Sequence, residues 1–275
     1  SLGYRDNKTY HEINEMSLSL HNLWKNNSNY NLYSSMNMKI DYRNIDGRNY
    51  VSSVKNQGQC GSCVAFTVNA LVESMYMLQD SYIDLSEREL FFCKGHRQCT
   101  QGWYMSAASD VLKTEGVGFE DCCWYNSFSC CHSLDCSDNI VIKIENYVKL
   151  TTYDDIISWL INKGPVITRM NVYQDFYEYS HGIYYKNSNS YRGAHSILIV
   201  GFNQNEEYWV AKNSWGKNWG ENGFFKIKYG ESGIMPYAYG YDVGKVNKYY
   251  LRNYSPYVKG NISIVGMLII PFLLD

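Results

Sequence analysis

The chain has 275 residues, enough for one or two domains with cores of their own, so a minidomain held together only by metal or disulfides is excluded. Hydrophobic residues at 45%, charged residues at 19%, four prolines and 21 glycines exclude a disordered or collagen-like chain. Twenty-five Lys and Arg against 27 Asp and Glu leave a formal charge of −2, so the chain has no basic field of the kind that holds nucleic acid, and no nucleic-acid partner is expected.

Residues 1–38 are polar, with Ile13, Met16, Leu20 and Leu23 at helical steps, followed by an Asn/Ser/Tyr-rich run: a helix and then a linker. Over 63–77 apolar Phe66, Ala70, Leu71 and Met75 recur without Pro or Gly, which predicts a helix. Ser86 and Glu89 are spaced as a capping box opening a second helix, and a third is expected over 103–114, stopped at Gly116. After residue 138 the texture changes. Residues 140–150 alternate, a short helix over 154–162 ends at Gly164-Pro165, and strand-like runs follow at 166–172, 196–202, 208–213 and 223–229. Helices first and strands later argue for an α+β protein of two packed lobes rather than a doubly wound sheet, with ligands expected in the cleft between the lobes. The richness in tyrosine, 27 in all, reads as half-buried packing and is given no function as such.

The final apolar run, 262–274, is broken by Gly266 and Pro271 and is shorter than the roughly 20 residues that span a bilayer as a helix. Its shape is that of a lipid-anchor attachment signal, with Asn253 or Ser255 near the cut; the alternative is a strand or a tail packed on the surface. Nine cysteines, an even set plus one, suggest a disulfide framework with one free thiol in an oxidising compartment. Asn-x-Ser/Thr triplets at Asn7, Asn26, Asn253 and Asn261 agree with that compartment. With Ser1 first and no signal segment, the chain reads as a fragment or processed form.

The chemistry concentrates in three stretches. A Gly-rich turn before the first predicted helix, Gln57-Gly58-Gln59-Cys60-Gly61-Ser62-Cys63, puts a thiol at a helix N-terminus, where the partial positive charge favours thiolate. A nucleophilic thiolate needs a His partner and a polar group to orient that His. Gly193-Ala194-His195 leads into an apolar run and puts an imidazole at a strand start on the other lobe. Asn213-Ser214-Trp215-Gly216 ends a strand, with an amide to hold the ring and an indole to shield it.

These three ordered motifs, with Trp219-Gly220-x-x-Gly223-Phe224 after them, resemble the papain-like cysteine peptidases. His195 and Asn213 stand 132 and 150 positions after Cys63, within that family's interval of about 130 to 150. The resemblance implies a two-lobe papain-like fold over 39–243, with an α lobe at about 50–138, a β-barrel-like antiparallel lobe at about 139–243, and the active-site cleft between them. It implies Cys63 as nucleophile, His195 as its acid/base partner, Asn213 as orienter, and Gln57 with the Cys63 N–H as oxyanion donors. Gly102 would let an extended substrate approach, Trp215 would line the cleft, Tyr237 would floor the main specificity pocket and Arg169 would stand near its wall. Cys60 would pair with Cys99, and Cys93 with Cys130 or Cys131. Residues 1–38 would be the end of an inhibitory propeptide, cut near residues 36–40, and 244–275 a C-terminal extension. No cofactor or metal is expected.

The chain departs from the family in three places. Val64 stands where the family usually has Trp or Tyr, Ser232 where many members have Cys, and Cys122, Cys123, Cys131 and Cys136 are surplus thiols suited to extra local bridges. Without a His-His insertion after Cys136, an endopeptidase is expected rather than a dipeptide-releasing enzyme. The resulting expectation is a monomeric thiol endopeptidase of the secretory pathway (lysosomal, vacuolar, secreted or at the cell surface), acting on protein substrates, held by its own propeptide and attached to membrane if the tail is an anchor signal. The contrasting reading is a catalytically silent homologue used as a cell-surface adhesin or binding module. Plainer readings stand beside the site residues: a bridged or buried Cys63, a core His195, a turn at Asn213, and zinc on the paired cysteines.

Overall fold

The computed structural model describes residues 38–126 and 141–245. The propeptide stretch, the four glycosylation triplets, Cys130, Cys131, Cys136 and the apolar tail lie outside the described residues.

The protein is α+β. The described residues open with strand β1 (Lys39–Asp41) and cross to a helical region, where α1 (Cys63–Met77) and α2 (Met105–Thr114) are joined by a π-helical turn, Glu89–Lys94. The chain then builds β2 (Ile144–Leu150), α3 (Tyr153–Asn162), β3 (Val166–Tyr173), β4 (Ile183–Tyr184), β5 (Tyr191–Asn203), β6 (Tyr208–Lys212), β7 (Phe224–Lys228) and β8 (Ala238–Val243). The strands form one sheet in the order β2-β8-β3-β5-β6-β7-β4, with β1 added against β5. All pairs are antiparallel except β4 with β7.

Helix α1 buries all but Cys63 and Met75 of its residues, which suits a helix packed on every side and not a surface helix with one apolar stripe. It lies against β5, whose Ile197, Leu198, Ile199 and Val200 are buried on both faces of the sheet. Helix α2 is amphipathic: Met105, Ala108, Ser109 and Leu112 face inward. Its end is set by Gly116, whose φ of +78° a side chain would resist and whose N–H returns to Val111 O at 3.0 Å. Thr152 caps α3 by accepting the Asp155 N–H at 3.1 Å.

The capping box forms only in part. The Glu89 N–H reaches Ser86 Oγ at 3.0 Å, but the Glu89 carboxylate turns to the Gly118 N–H (3.0 Å) and Lys94 (2.9 Å), because the Ser86 N–H is already bound to Gly118 O. Among the described residues no helix is long and apolar enough to cross a membrane.

Candidate active site

Two lobes meet where α1 begins. The preceding loop turns at Gly58, with φ of +60° and its N–H on Asn56 Oδ1 at 3.0 Å. A disulfide joins Cys60 to Cys99. Gly61 donates its N–H to Cys99 O at 2.8 Å, and a Cβ at Gly61 would stand 2.6 Å from that oxygen, so only glycine allows this approach. Gly102, at φ +61°, has its N 3.5 Å from the Cβ position of Gly61, beside the loop, with open space around its own Cβ position. Cys63 is the free cysteine among the described residues; Cys93, Cys122 and Cys123 are disulfide-bonded.

Burial pushes the Cys63 thiol up, and backbone N–H groups of Ser196, Val64 and Cys63 itself pull it back down. Ser196 belongs to β5, so the sulfur at the tip of α1 lies against the sheet of the other lobe, one residue past His195.

His195 does not begin its strand. β5 starts four residues earlier, where Tyr191, Gly193 and Ala194 pair with Tyr173, Val172 and Asn171, and His195 stands opposite Met170. Those leading residues are polar or small and carry no apolar pattern, so only their pairing with β3 reveals the strand. The buried ring donates Nε2–H to Asn213 Oδ1 at 2.7 Å. That oxygen also accepts the Ser214 N–H at 2.8 Å, which assigns it as the carbonyl end of the amide and so assigns the imidazole proton to Nε2. Nδ1 is left as the free base of a neutral ring. Trp215 lies over the imidazole, with ring centres 4.9 Å apart. Burial pushes His195 down to about 4, partly opposed by Asn213.

Gln57 is sewn to the other lobe. Its N–H donates to Ser214 O at 2.9 Å, Ser214 Oγ donates to its Oε1 at 2.5 Å, and its Nε2 donates to Cys60 O at 2.7 Å. Ser214 thus orients the amide so that its NH2 faces the Cys60–Cys63 loop. Arg169 is exposed on β3 opposite Ser196. Tyr237 is half-buried and carries the Lys149 ammonium 4.7 Å above its ring. Asn213 and Trp215 meet His195 by a hydrogen bond and a ring contact, and Arg169 and Tyr237 make neither with it.

Sequence reasoning passed over several neighbours. Tyr125 places its hydroxyl 2.7 Å from Ser62 Oγ and 3.0 Å from Gln57 O. Exposed Tyr177 stacks on Trp215 at 5.1 Å. Behind Asn213 lies a buried charge cluster. Lys55 Nζ contacts Asp84 (2.6 Å), Glu87 (2.9 Å) and Glu73 (3.4 Å), while Lys212 Nζ donates to Ser52 Oγ at 2.9 Å. Burial pushes Glu87 up to about 8 despite Lys55, and Lys212 down to about 8 despite Glu73. Glu73 is held below the usual carboxylate range, because Lys55 and Lys212 outweigh the effect of its burial. An acid inside an apolar helix at position 73 and a Lys ending the apolar run at 212 were the available signals. Among the described residues no three His, Cys, Asp or Glu gather as a metal site.

The sequence profile described as papain family cysteine protease matches residues 36–244. The chain belongs to that family. It is 28% identical to fruit bromelain of Ananas comosus over 207 residues, 73% of this chain and 58% of bromelain. It is 32% identical to cathepsin J of Mus musculus, over 68% of this chain and 60% of cathepsin J. Against the viral cathepsin of Spodoptera litura multicapsid nucleopolyhedrovirus, identity is 33% over 69% of this chain and 56% of the relative. The matches thus span little more than half of these three relatives. Among solved structures, digestive procathepsin L 3 of the Tenebrio molitor larval midgut superposes with a TM-score of 0.63 at 28% identity, covering 76% of this chain and 72% of that one. The papain-like two-lobe fold follows, and the adhesin reading gains no support.

Proposed function

We propose that the protein is a thiol endopeptidase, made as a zymogen, that cleaves peptide bonds through an acyl-thioester on Cys63. The observation that carries the reading is the buried imidazole with Nε2 engaged by Asn213 and Nδ1 left as base, together with a free thiol that takes the backbone N–H of Ser196, the residue after His195. Burial disfavours either charge alone, since it raises the thiol and lowers the ring. A proton passed from Sγ to Nδ1 creates both charges together, each compensating the other.

The thiolate adds to the substrate carbonyl carbon, and the C=O electron pair moves onto oxygen. That oxyanion is met by the Cys63 N–H and the Gln57 amide, whose orientation Ser214 holds. As the tetrahedral species collapses, the C–N bond breaks and His195 gives its proton to the departing amine. Water, deprotonated by the same Nδ1, then attacks the thioester and releases the acid, and the proton returns to sulfur. Asn213 holds the ring plane through both halves, and Trp215 keeps water from the Asn213 bond.

We place the extended substrate along Gly102, with Tyr237 as pocket floor and Arg169 near its wall, which favours modest apolar side chains. Residues 1–38 act as the inhibitory segment, 39–243 as the peptidase domain and 244–275 as an extension. The cathepsin and bromelain relatives favour a lysosomal or secreted location. The test uses the full chain before and after processing, with an internally quenched peptide and an electrophilic peptidyl epoxide. Cleavage, with one epoxide captured at Cys63, is expected after processing; no cleavage and no capture would overturn the proposal.

A further inference from the structure

Ser62 is the N-cap residue of α1, the position where a serine side chain ordinarily accepts an N–H of the first helical turn. It makes no such cap here. Its hydroxyl is fully buried and lies 2.7 Å from the Tyr125 hydroxyl, which lies 3.0 Å from Gln57 O. The proton count orders the chain. Gln57 O can only accept, so Tyr125 Oη–H donates to it, and Ser62 Oγ–H donates to Tyr125 Oη.

Tyr125 is itself held from behind. Its N–H reaches Glu120 Oε1 at 2.9 Å, and its ring stands edge-on to Phe66 with centres 4.8 Å apart. The Ala65 N–H is taken by Ser62 O at 2.9 Å. The N–H groups of Cys63 and Val64 remain, and both act on the Cys63 sulfur.

We propose that Tyr125 is a positioning residue for the thiol site: its hydroxyl draws the Ser62 side chain away from the start of α1 and clamps the Gln57 carbonyl, leaving the first-turn N–H groups to sulfur and oxyanion. The inference rests on Cys63 as the nucleophile. Without the Tyr125 hydroxyl, buried Ser62 Oγ has lost its acceptor and rotates onto the Val64 N–H, competing with the thiolate for that donor.

The test measures the pH midpoint of iodoacetamide alkylation at Cys63, located by mass spectrometry, together with kcat and KM for the quenched peptide. In Tyr125→Phe, which keeps the ring against Phe66, the midpoint rises by about one pH unit and kcat falls about tenfold, with KM within about twofold. Ser62→Ala in the same background removes the competitor and restores most of the midpoint, a recovery that a merely structural role for Tyr125 would not produce. Ser62→Ala alone leaves the midpoint where it was. An unchanged midpoint in Tyr125→Phe, no recovery in the double variant, or a rise in Ser62→Ala alone overturns the inference. A parent chain that cleaves nothing while its midpoints shift as stated would overturn the peptidase reading and leave this one standing.

Discussion

Replacing Lys55 by Met should expose what the buried charges cost. The Lys55 ammonium is the shared partner of Glu73 and Glu87, each 1% exposed, and of Asp84 at 2.6 Å. Burial works against its charge, yet the three acids hold its pKa well above the ordinary value. Removing one partner of a buried ion pair costs about 3–5 kcal/mol because the other charge stays behind in low dielectric. Glu87 softens this. With a folded pKa of about 8 it carries a proton at pH 7, so the charge that loses its partner is mainly Glu73, which keeps Lys212 beside it, and the loss sits at the low end, about 3 kcal/mol at pH 7. For a chain of this size that lowers Tm by roughly 6–12 °C.

The pH dependence has a definite sign. Without Lys55 the burial of Glu73, the largest influence on it, is opposed mainly by Lys212, so its carboxyl moves up, and an acid with a raised folded pKa costs stability as pH climbs through that window. The loss at pH 5 should therefore shrink to about 1 kcal/mol. The assay is calorimetric unfolding of the alkylated, proteolytically silent protein at pH 5 and pH 7. Equal losses at the two pH values, or a loss below about 1 kcal/mol at both, would refute the reasoning.

Three further outcomes follow from the site. In Cys63→Ala the His195 ring, deprived of its sulfur partner, should titrate near 4 by proton–carbon NMR, and a value at or above the ordinary 6.5 would contradict the burial argument. Asn213→Ala removes the acceptor of a charge-assisted hydrogen bond worth about 1.5–3 kcal/mol, so kcat/KM should fall by roughly 10- to 150-fold, with the ring's NMR signal broadened by motion. Gly61→Ala drives a Cβ to 2.6 Å from the Cys99 carbonyl, and unfolding should show a loss of about 1–3 kcal/mol as the backbone shifts.

Local pattern explains what could be read from the chain. The helix expected over 63–77 forms over Cys63–Met77, because an apolar stretch without Gly or Pro answers to its own propensities. The π-helical turn at Glu89–Lys94 was read as an ordinary helix start, since what diverts Glu89 is Gly118, nearly thirty residues on. β8 was missed because Ala238-Tyr239-Gly240-Tyr241 reads as a broken pattern. Gly240 is there so that Trp159 of α3 can pack against bare backbone. Within the site, Cys63, His195, Asn213, Gln57 and Trp215 were marked by neighbouring glycines and by motif, whereas Tyr125 carries no local signature, and its contact with Ser62 of the motif spans 63 positions. The Lys55 cluster shows in the sequence only through Glu73 inside an apolar helix and Lys212 at the end of an apolar run; Lys55, Asp84 and Glu87 look solvated until the two lobes close over them.

Strand β1 bears on the proposed removal of residues 1–38. Ile40 is paired with Phe202, Asp41 with Gly201, and the Gln204 N–H reaches Met38 O at 2.9 Å, so this ribbon is hydrogen-bonded into the strand that also carries His195. A processing enzyme grips its target as a free extended strand, and residues 38–41 already have their main-chain groups taken. Trimming that stops before Met38 leaves β5 with its neighbour intact. Trimming past Asp41 would strip an edge partner from the imidazole's own strand, so the new amino terminus is expected to sit at the sheet's margin as a fixed bookend.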